Sequence, residues 1–222
     1  MGCQGAYATS YDFASLWCLG SFVAGLDTSL AGPNLFITDT SGVDFTASDP
    51  NFNTPVAVGM PLKNVTTGTY GYVVTVAPTI LGTTNAFNPG NLYRIRTISA
   101  QQVAEIEEFL LISASDLHAA LAASGACDCA FSTWGEKYLT KLNVIDAAVW
   151  HNCPCSNPQL KEDEKARLMN WVSTVLDQIV TQKLELCQGE TGSAFPAVAS
   201  AEQNLTLWSE PDIVLNQLLR YG

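Results

Sequence analysis

Apolar residues along this chain follow two rhythms, and the change falls at Thr97–Ser99. From Ser99 onward they recur every third or fourth position. Val103, Ile106, Leu110, Ala114, Leu117 and Leu121 form one stripe, which predicts a long helix ending near Gly125. Ser99, with Gln102 three residues on, has the spacing of a capping box. Trp134, Tyr138, Leu142, Ile145 and Val149 predict a second helix that stops before Pro154. A third follows Asn157-Pro158, with Leu168, Val172, Val175 or Leu176, Ile179 and Lys183 on one face. Glu162-Asp163-Glu164 occupy its first turn, where acid favours the helix dipole, and Gly189 lies just past its end. A last short helix is expected over Pro211–Leu219.

Before Ser99 the rhythm is shorter. Leu35–Thr38, Val43–Thr46, Met60–Val65, Tyr70–Val76 and Asn91–Ile98 are rich in β-branched and aromatic residues, and Gly, Pro, Asn and Asp separate them. Tyr70, Tyr72, Val74 and Val76 fall on one face of a period-two strand. Thr67-Gly68 and Asn88-Pro89-Gly90 read as tight turns. Five short strands predict a small antiparallel barrel or sandwich. The first 32 residues are Gly- and Ser-rich, yet they carry Tyr11, Phe13, Leu16, Trp17 and Phe22. Something must cover these, either a neighbouring subunit holding them as an arm or a short helix laid on the chain's own sheet.

The expected fold is therefore α+β. A β barrel or sandwich comes first, then a bundle of three to four helices. The expected divisions are an arm over 1–32, a β domain over 33–98, a helical domain over 99–188, and a tail with a short helix over 189–222. In that tail Phe195, Leu205, Leu207 and Trp208 need a surface.

Composition narrows the partners. Only 14% of the 222 residues are charged, against about 25% in ordinary soluble domains. A surface so poor in charge suits a subunit covered by protein neighbours. The net charge of −11 argues against gripping nucleic acid through its phosphates. Residues 1–98 contribute −2 of this and residues 99–222 contribute −9. No apolar run reaches the roughly 18 residues of a membrane span. The N-terminus lacks the positive region of a signal peptide, so synthesis in a reducing cytoplasm is expected.

The candidate chemistry is sparse. Four of the seven cysteines fall as Cys127-Asp128-Cys129 and Cys153-Pro154-Cys155; the others are Cys3, Cys18 and Cys187. The two close pairs flank the second helix and are about 30 Å apart along it, which argues against one four-cysteine zinc site in a subunit. Three readings stay open: small buried thiols at helix ends, a metal site, or disulfides formed on release into an oxidising medium. Cys153 or Cys155 with Cys187 is the favoured pair if a disulfide forms. Cys127, Cys129, Cys153 and Cys155 are the only metal candidates, and no metal or cofactor is assigned.

His151 next to Cys153 could form a nucleophilic dyad, but no orienting acid or oxyanion motif accompanies it. It also suits a helix C-terminus. Glu105, Glu107 and Glu108, like Glu162–Glu164, are acids of a first helical turn rather than a catalytic pair. Asn64-Val65-Thr66 and Asn204-Leu205-Thr206 match the short glycosylation pattern. No nucleotide-binding, hydrolase or metalloprotease motif occurs, and no catalytic residue is assigned.

The helical order does resemble a known family. Ser115-Asp116-Leu117-His118-Ala119-Ala120-Leu121 ends the first helix; Tyr138-Leu139 and Asp146-Ala147-Ala148 lie on the second. The third has an acidic start, then Trp171 and Ile179, and closes on Leu184-Glu185-Leu186. Over roughly residues 99–195 this is similar to the helical head–tail connector, or adaptor, proteins of tailed bacteriophages. Gly68-Thr69-Tyr70-Gly71 and Asn88-Pro89-Gly90-Asn91-Leu92-Tyr93-Arg94-Ile95 resemble small β modules of phage virion proteins, with Asn91 where Asp is usual.

The resemblance implies a non-catalytic virion subunit of the neck, made in the host bacterial cytoplasm. It would form a homo-oligomeric ring, usually of twelve, between the portal protein and the next neck or tail protein. Genomic DNA would pass through without sequence-specific binding. An acidic channel face would repel phosphate, although the same charge suits an ordinary solvated helix surface. Another neck, tail-completion or capsid-associated role is the alternative; a cytoplasmic metal-binding protein or enzyme is a third.

Overall fold

The computed structural model describes residues 5–17, 19–47, 55–126, 130–151, 161–184 and 186–187. They form two compact units. One spans Thr9–Phe109; the other combines the described residues before Thr9 with those from Leu110 onward. The architecture is α+β, an antiparallel sheet followed by helices. No helix among the described residues is long and apolar enough to cross a membrane.

Six strands make the sheet of the first unit: β1 (Phe22–Leu26), β2 (Asn34–Thr38), β3 (Pro61–Asn64), β4 (Tyr70–Ala77), β5 (Ile80–Phe87) and β6 (Leu92–Arg96). Their order is β1-β6-β3-β4-β5-β2, and every pairing is antiparallel. The sheet curls until its ends touch, where Thr28 N donates to Thr38 O at 2.6 Å and Thr38 N donates to the Asp27 carboxylate at 3.0 Å. Among the described residues no ladder joins β1 to β2. The expected barrel is thus an open, curled sheet.

Alternate residues of the strands point into one core. Val23, Ile37, Leu62, Val73, Leu81, Phe87, Tyr93 and Ile95 meet there, joined by Phe45, Val56 and Met60 from loops. The expected turns are present: Gly68 and Gly90 have φ of +76° and +83°, which glycine adopts without a Cβ clash.

Four readings need correction in this unit. Val43–Thr46 is not a strand. The Asp44 carboxylate accepts from Thr46 N at 2.9 Å, and this local turn replaces a ladder, while Phe45 still fills the core. β1 and β5 are strands the pattern did not reveal. Val76 does not share a face with Tyr70, Tyr72 and Val74. A β-bulge opposite Gly82 and Thr83 inserts one residue, so Val73 and Val76 both turn toward the core. Gly82 marks the bulge, since a Cβ there would strike the Thr75 hydroxyl.

The N-terminal segment is also resolved into elements. α1 (Ser10–Leu16) is closed by a capping box, with Thr9 Oγ1 accepting from Asp12 N and the Asp12 carboxylate accepting from Thr9 N. Tyr11, Phe13, Ala14 and Trp17 are buried, and α1 lies on β3 and β6. The chain's own sheet covers these aromatics. The described residues of this segment thus supply a helix and an edge strand, in keeping with the short-helix reading.

α2 (Ala100–Ser124) buries all six residues of its predicted stripe. It starts on the expected Ser99–Gln102 box and ends at Gly125, φ +77°. The boundary between the two units falls within it, between Phe109 and Leu110. α3 (Thr133–Val149) and α4 (Glu162–Val180) lie in the second unit and pack on each other. Leu168, Val172, Val175 and Ile179 are the buried face of α4. α3 is more enclosed than its stripe implies, since every residue from Leu142 to Val149 is buried.

Asn143 organises this unit. Its Oδ1 accepts from the backbone N–H groups of Tyr7 and Ala8 at 3.0 and 3.2 Å. Its Nδ2 donates to Leu110 O at 3.0 Å and to the Ser113 hydroxyl. One buried amide thus joins residues 7–8, α2 and α3 with its hydrogen-bonding capacity used. Beyond α4 the chain returns to α3: Ser132 N donates to Leu186 O at 2.8 Å, and Phe131 bridges Cys187. The predicted helix over Pro211–Leu219 and the tail aromatics lie outside the described residues.

Candidate functional site

Among the described residues, the acids and Asn64 singled out by the sequence do not converge on one site. Cys3, Cys18, Cys127, Cys129, Cys153 and Cys155 lie outside the described residues. Cys187 is disulfide-bonded, which is the disulfide reading of the three left open for the cysteines; its partner lies outside the described residues. Glu107 accepts from the Ser10 hydroxyl at 3.1 Å and from Tyr72, and Glu105 accepts from Gln101 at 3.1 Å. Glu164 closes the α4 N-terminus by accepting from Lys161 N. These acids serve structure. Asn64 is buried, donates to Asn91 at 2.8 Å and accepts from Thr66 N and Thr67 N, which removes it from glycosylation in the folded chain. His118 meets the Tyr7 ring edge-on, with centroids 5.3 Å apart.

A different group does converge, in the helical unit. Asp116 on α2, Asp146 on α3 and His151 just past α3 bring their ligand atoms within 4.8 Å of one another. His151 Nε2 is 3.3 Å from Asp116 Oδ2 and 3.6 Å from Asp146 Oδ2. Asp146 is 1% exposed, and its Oδ2 has no hydrogen-bond partner. The side chains of His151 and Asp116 are 24% and 50% exposed, so one side of the group opens to solvent. Burial pushes the Asp146 carboxyl from 3.8 up to about 6. His151 draws it down, Asp116 pushes it further up, and a hydrogen bond from Ser113 lowers it. Among the described residues this is the group that could hold a cation.

The sheet unit has buried acids of another kind. Asp27 accepts from Ser29 N, the Ser29 hydroxyl and Thr38 N, all within 3.0 Å. Asp39 accepts from Ser41 N at 2.9 Å, from the Ser41 hydroxyl, and from the Tyr93 hydroxyl at 2.6 Å. Burial alone would raise the Asp39 carboxyl, but its donors together hold it below the usual value. The same bond and burial push Tyr93 far up. Gly25 completes the arrangement, because a Cβ there would stand 2.5 Å from the Tyr93 hydroxyl.

Sequence reasoning noted Asp116 and Asp146 only as parts of a helical resemblance and His151 as a helix-end group. The overlooked signal was a carboxylate inside the apolar run Val144–Val149, since Asp is rarely buried without a partner.

The outer surface of the sheet unit is the second feature. Phe22, Leu26, Leu30, Leu35, Phe36 and Leu92 are each 40% exposed or more, and Leu30 is fully exposed. Leu26 and Leu92 are cross-strand partners. Both edge strands, β1 and β2, carry such residues. Apolar side chains exposed on edge strands invite association.

No family model matches the chain, and neither does any curated protein or solved structure.

Proposed function

We propose that the chain is a structural subunit of a tailed-bacteriophage virion, a head-to-tail connector that forms a ring between the portal and the tail. It acts mechanically, by extending the DNA channel and joining two other rings. The observation that carries this reading is the exposed apolar surface of the sheet unit, in a chain of unusually low charge. Exposed apolar residues on both β1 and β2 suit the head-to-tail contacts of a cyclic assembly, where each subunit offers unlike patches to its two neighbours. The order and buried faces of α2, α3 and α4 support the resemblance on which the neck position rests. Tyr138 and Trp171, both part of that resemblance, lie 6.1 Å apart by ring centroids and join α3 to α4. The sheet unit favours a second reading, attachment to the capsid or to another neck protein.

Native mass spectrometry and electron microscopy of the full chain test the proposal. A closed ring of high order is expected, and in the intact particle it should sit next to the portal. A chain that stays monomeric at high concentration, and is absent from the neck, would contradict it.

A further inference from the structure

We propose that Asp116, Asp146 and His151 bind one divalent transition-metal ion of the zinc class, which ties α2 to the C-terminal end of α3. Three observations point there. The first is spacing. Ligand bonds of about 2.0–2.1 Å in a tetrahedral site place neighbouring ligand atoms about 3.4 Å apart. The imidazole nitrogen stands 3.3 and 3.6 Å from the two carboxylate oxygens. The longer distance is outside hydrogen-bonding range, yet both match that spacing, and all three ligand atoms lie within 4.8 Å of one another.

The second is the orphaned oxygen. Asp146 Oδ2 is buried, lacks a hydrogen-bond donor and lies beside the imidazole. A buried carboxylate oxygen without a donor is costly, and a cation is a partner that would satisfy it. The third is charge and access. Two carboxylates and a neutral imidazole sum to −2, which a divalent ion neutralises. His151 follows the C-terminal end of α3, where the helix dipole adds negative potential. The partly exposed side leaves room for water as a fourth ligand. Imidazole and carboxylate together suit zinc and its first-row neighbours better than calcium or magnesium, which prefer all-oxygen sites.

Cysteine thiols outside the Cys187 disulfide also bind such metals, so the test must separate thiolate from oxygen and nitrogen ligands. Cobalt(II) does this. Chelator-stripped full-length protein is titrated with cobalt and followed by visible and near-ultraviolet absorbance. The expected result is one equivalent bound, with ligand-field bands but no thiolate charge transfer, displaced by zinc. Asp146→Asn and His151→Gln should each weaken binding about 100-fold, with unchanged circular dichroism. Asp116→Asn, on the half-exposed side, serves as a ligand variant that leaves the core intact and should weaken binding at least about tenfold. An absence of cobalt bands at millimolar metal would overturn the proposal. So would a thiolate-type spectrum that the three substitutions leave unchanged. Either result leaves the ring reading untouched, since that is measured by assembly state.

Discussion

Asp39 in the sheet unit and Asp146 in the helical unit are equally closed to solvent, yet their surroundings differ. Asp39 is ringed by donors from Ser41 and Tyr93, and its carboxyl is held low. Asp146 keeps one oxygen without a donor, and its carboxyl is pushed up to about 6. Burial therefore does not by itself mark a functional acid; the count of donors does. A satisfied carboxylate holds loops together, as Asp39 does for the ends of a curled sheet. An unsatisfied one costs stability and persists where something else completes it. Asn143 sharpens the contrast. It lies three residues before Asp146 on the same helix and has both ends of its amide engaged. The helix is able to satisfy a buried polar group, and at Asp146 it does not.

Substitutions should separate the two kinds of buried group. The largest loss is expected for Asp39→Ala, which strips the buried Tyr93 hydroxyl of its acceptor and the Ser41 turn of its anchor. Urea unfolding should show about 3–4 kcal/mol of destabilisation. Asn143→Ala should cost about 3 kcal/mol, because it orphans Tyr7 N and Ala8 N and leaves a cavity. Asp146→Asn should do the reverse in metal-free protein at pH 7.5. It removes an ionised group from the interior and should stabilise by about 2 kcal/mol. A loss of more than about 1 kcal/mol there would mean that Asp146 is satisfied after all, as Asp39 is.

The two acids also predict opposite responses to pH. The folded Asp39 carboxyl is lowered, so its contribution is present above the ordinary carboxylate range and lost as the pH falls through its folded value. The folded Asp146 carboxyl is raised to about 6 from 3.8. Between those values the folded chain holds a proton that the unfolded chain releases. In chelator the helical unit should therefore gain stability as the pH falls from 7 toward 4, while below that range the sheet unit weakens. Hydrogen exchange, read segment by segment, follows both units in one sample. Asp146→Asn should abolish the gain.

Much of the helical unit was legible because a 3.6-residue period leaves a stripe. All six predicted stripe residues of α2 and the four apolar ones of α4 are buried. The sheet was harder to read. β5 carries Gly82 and Asn85, which look like turn residues, but Gly82 is there for a bulge. β1 is short and contains Gly25, which the Tyr93–Asp39 bond requires. Val43–Thr46 has strand composition, yet the Asp44 side chain captures its backbone. Such features depend on contacts across the fold, which periodicity does not encode. The Asp116–Asp146–His151 group hid for the same reason. Its members are up to 35 positions apart, and only the packing of α3 beside α2 brings them together.

Anomalous diffraction from crystals of the full chain soaked in zinc, with data on both sides of the zinc edge, tests the central contrast most directly. The account predicts a zinc peak between Asp116, Asp146 and His151, and none at Asp27 or Asp39. An empty helical site at saturating zinc, with a hydrogen-bond donor instead completing Asp146, would contradict it.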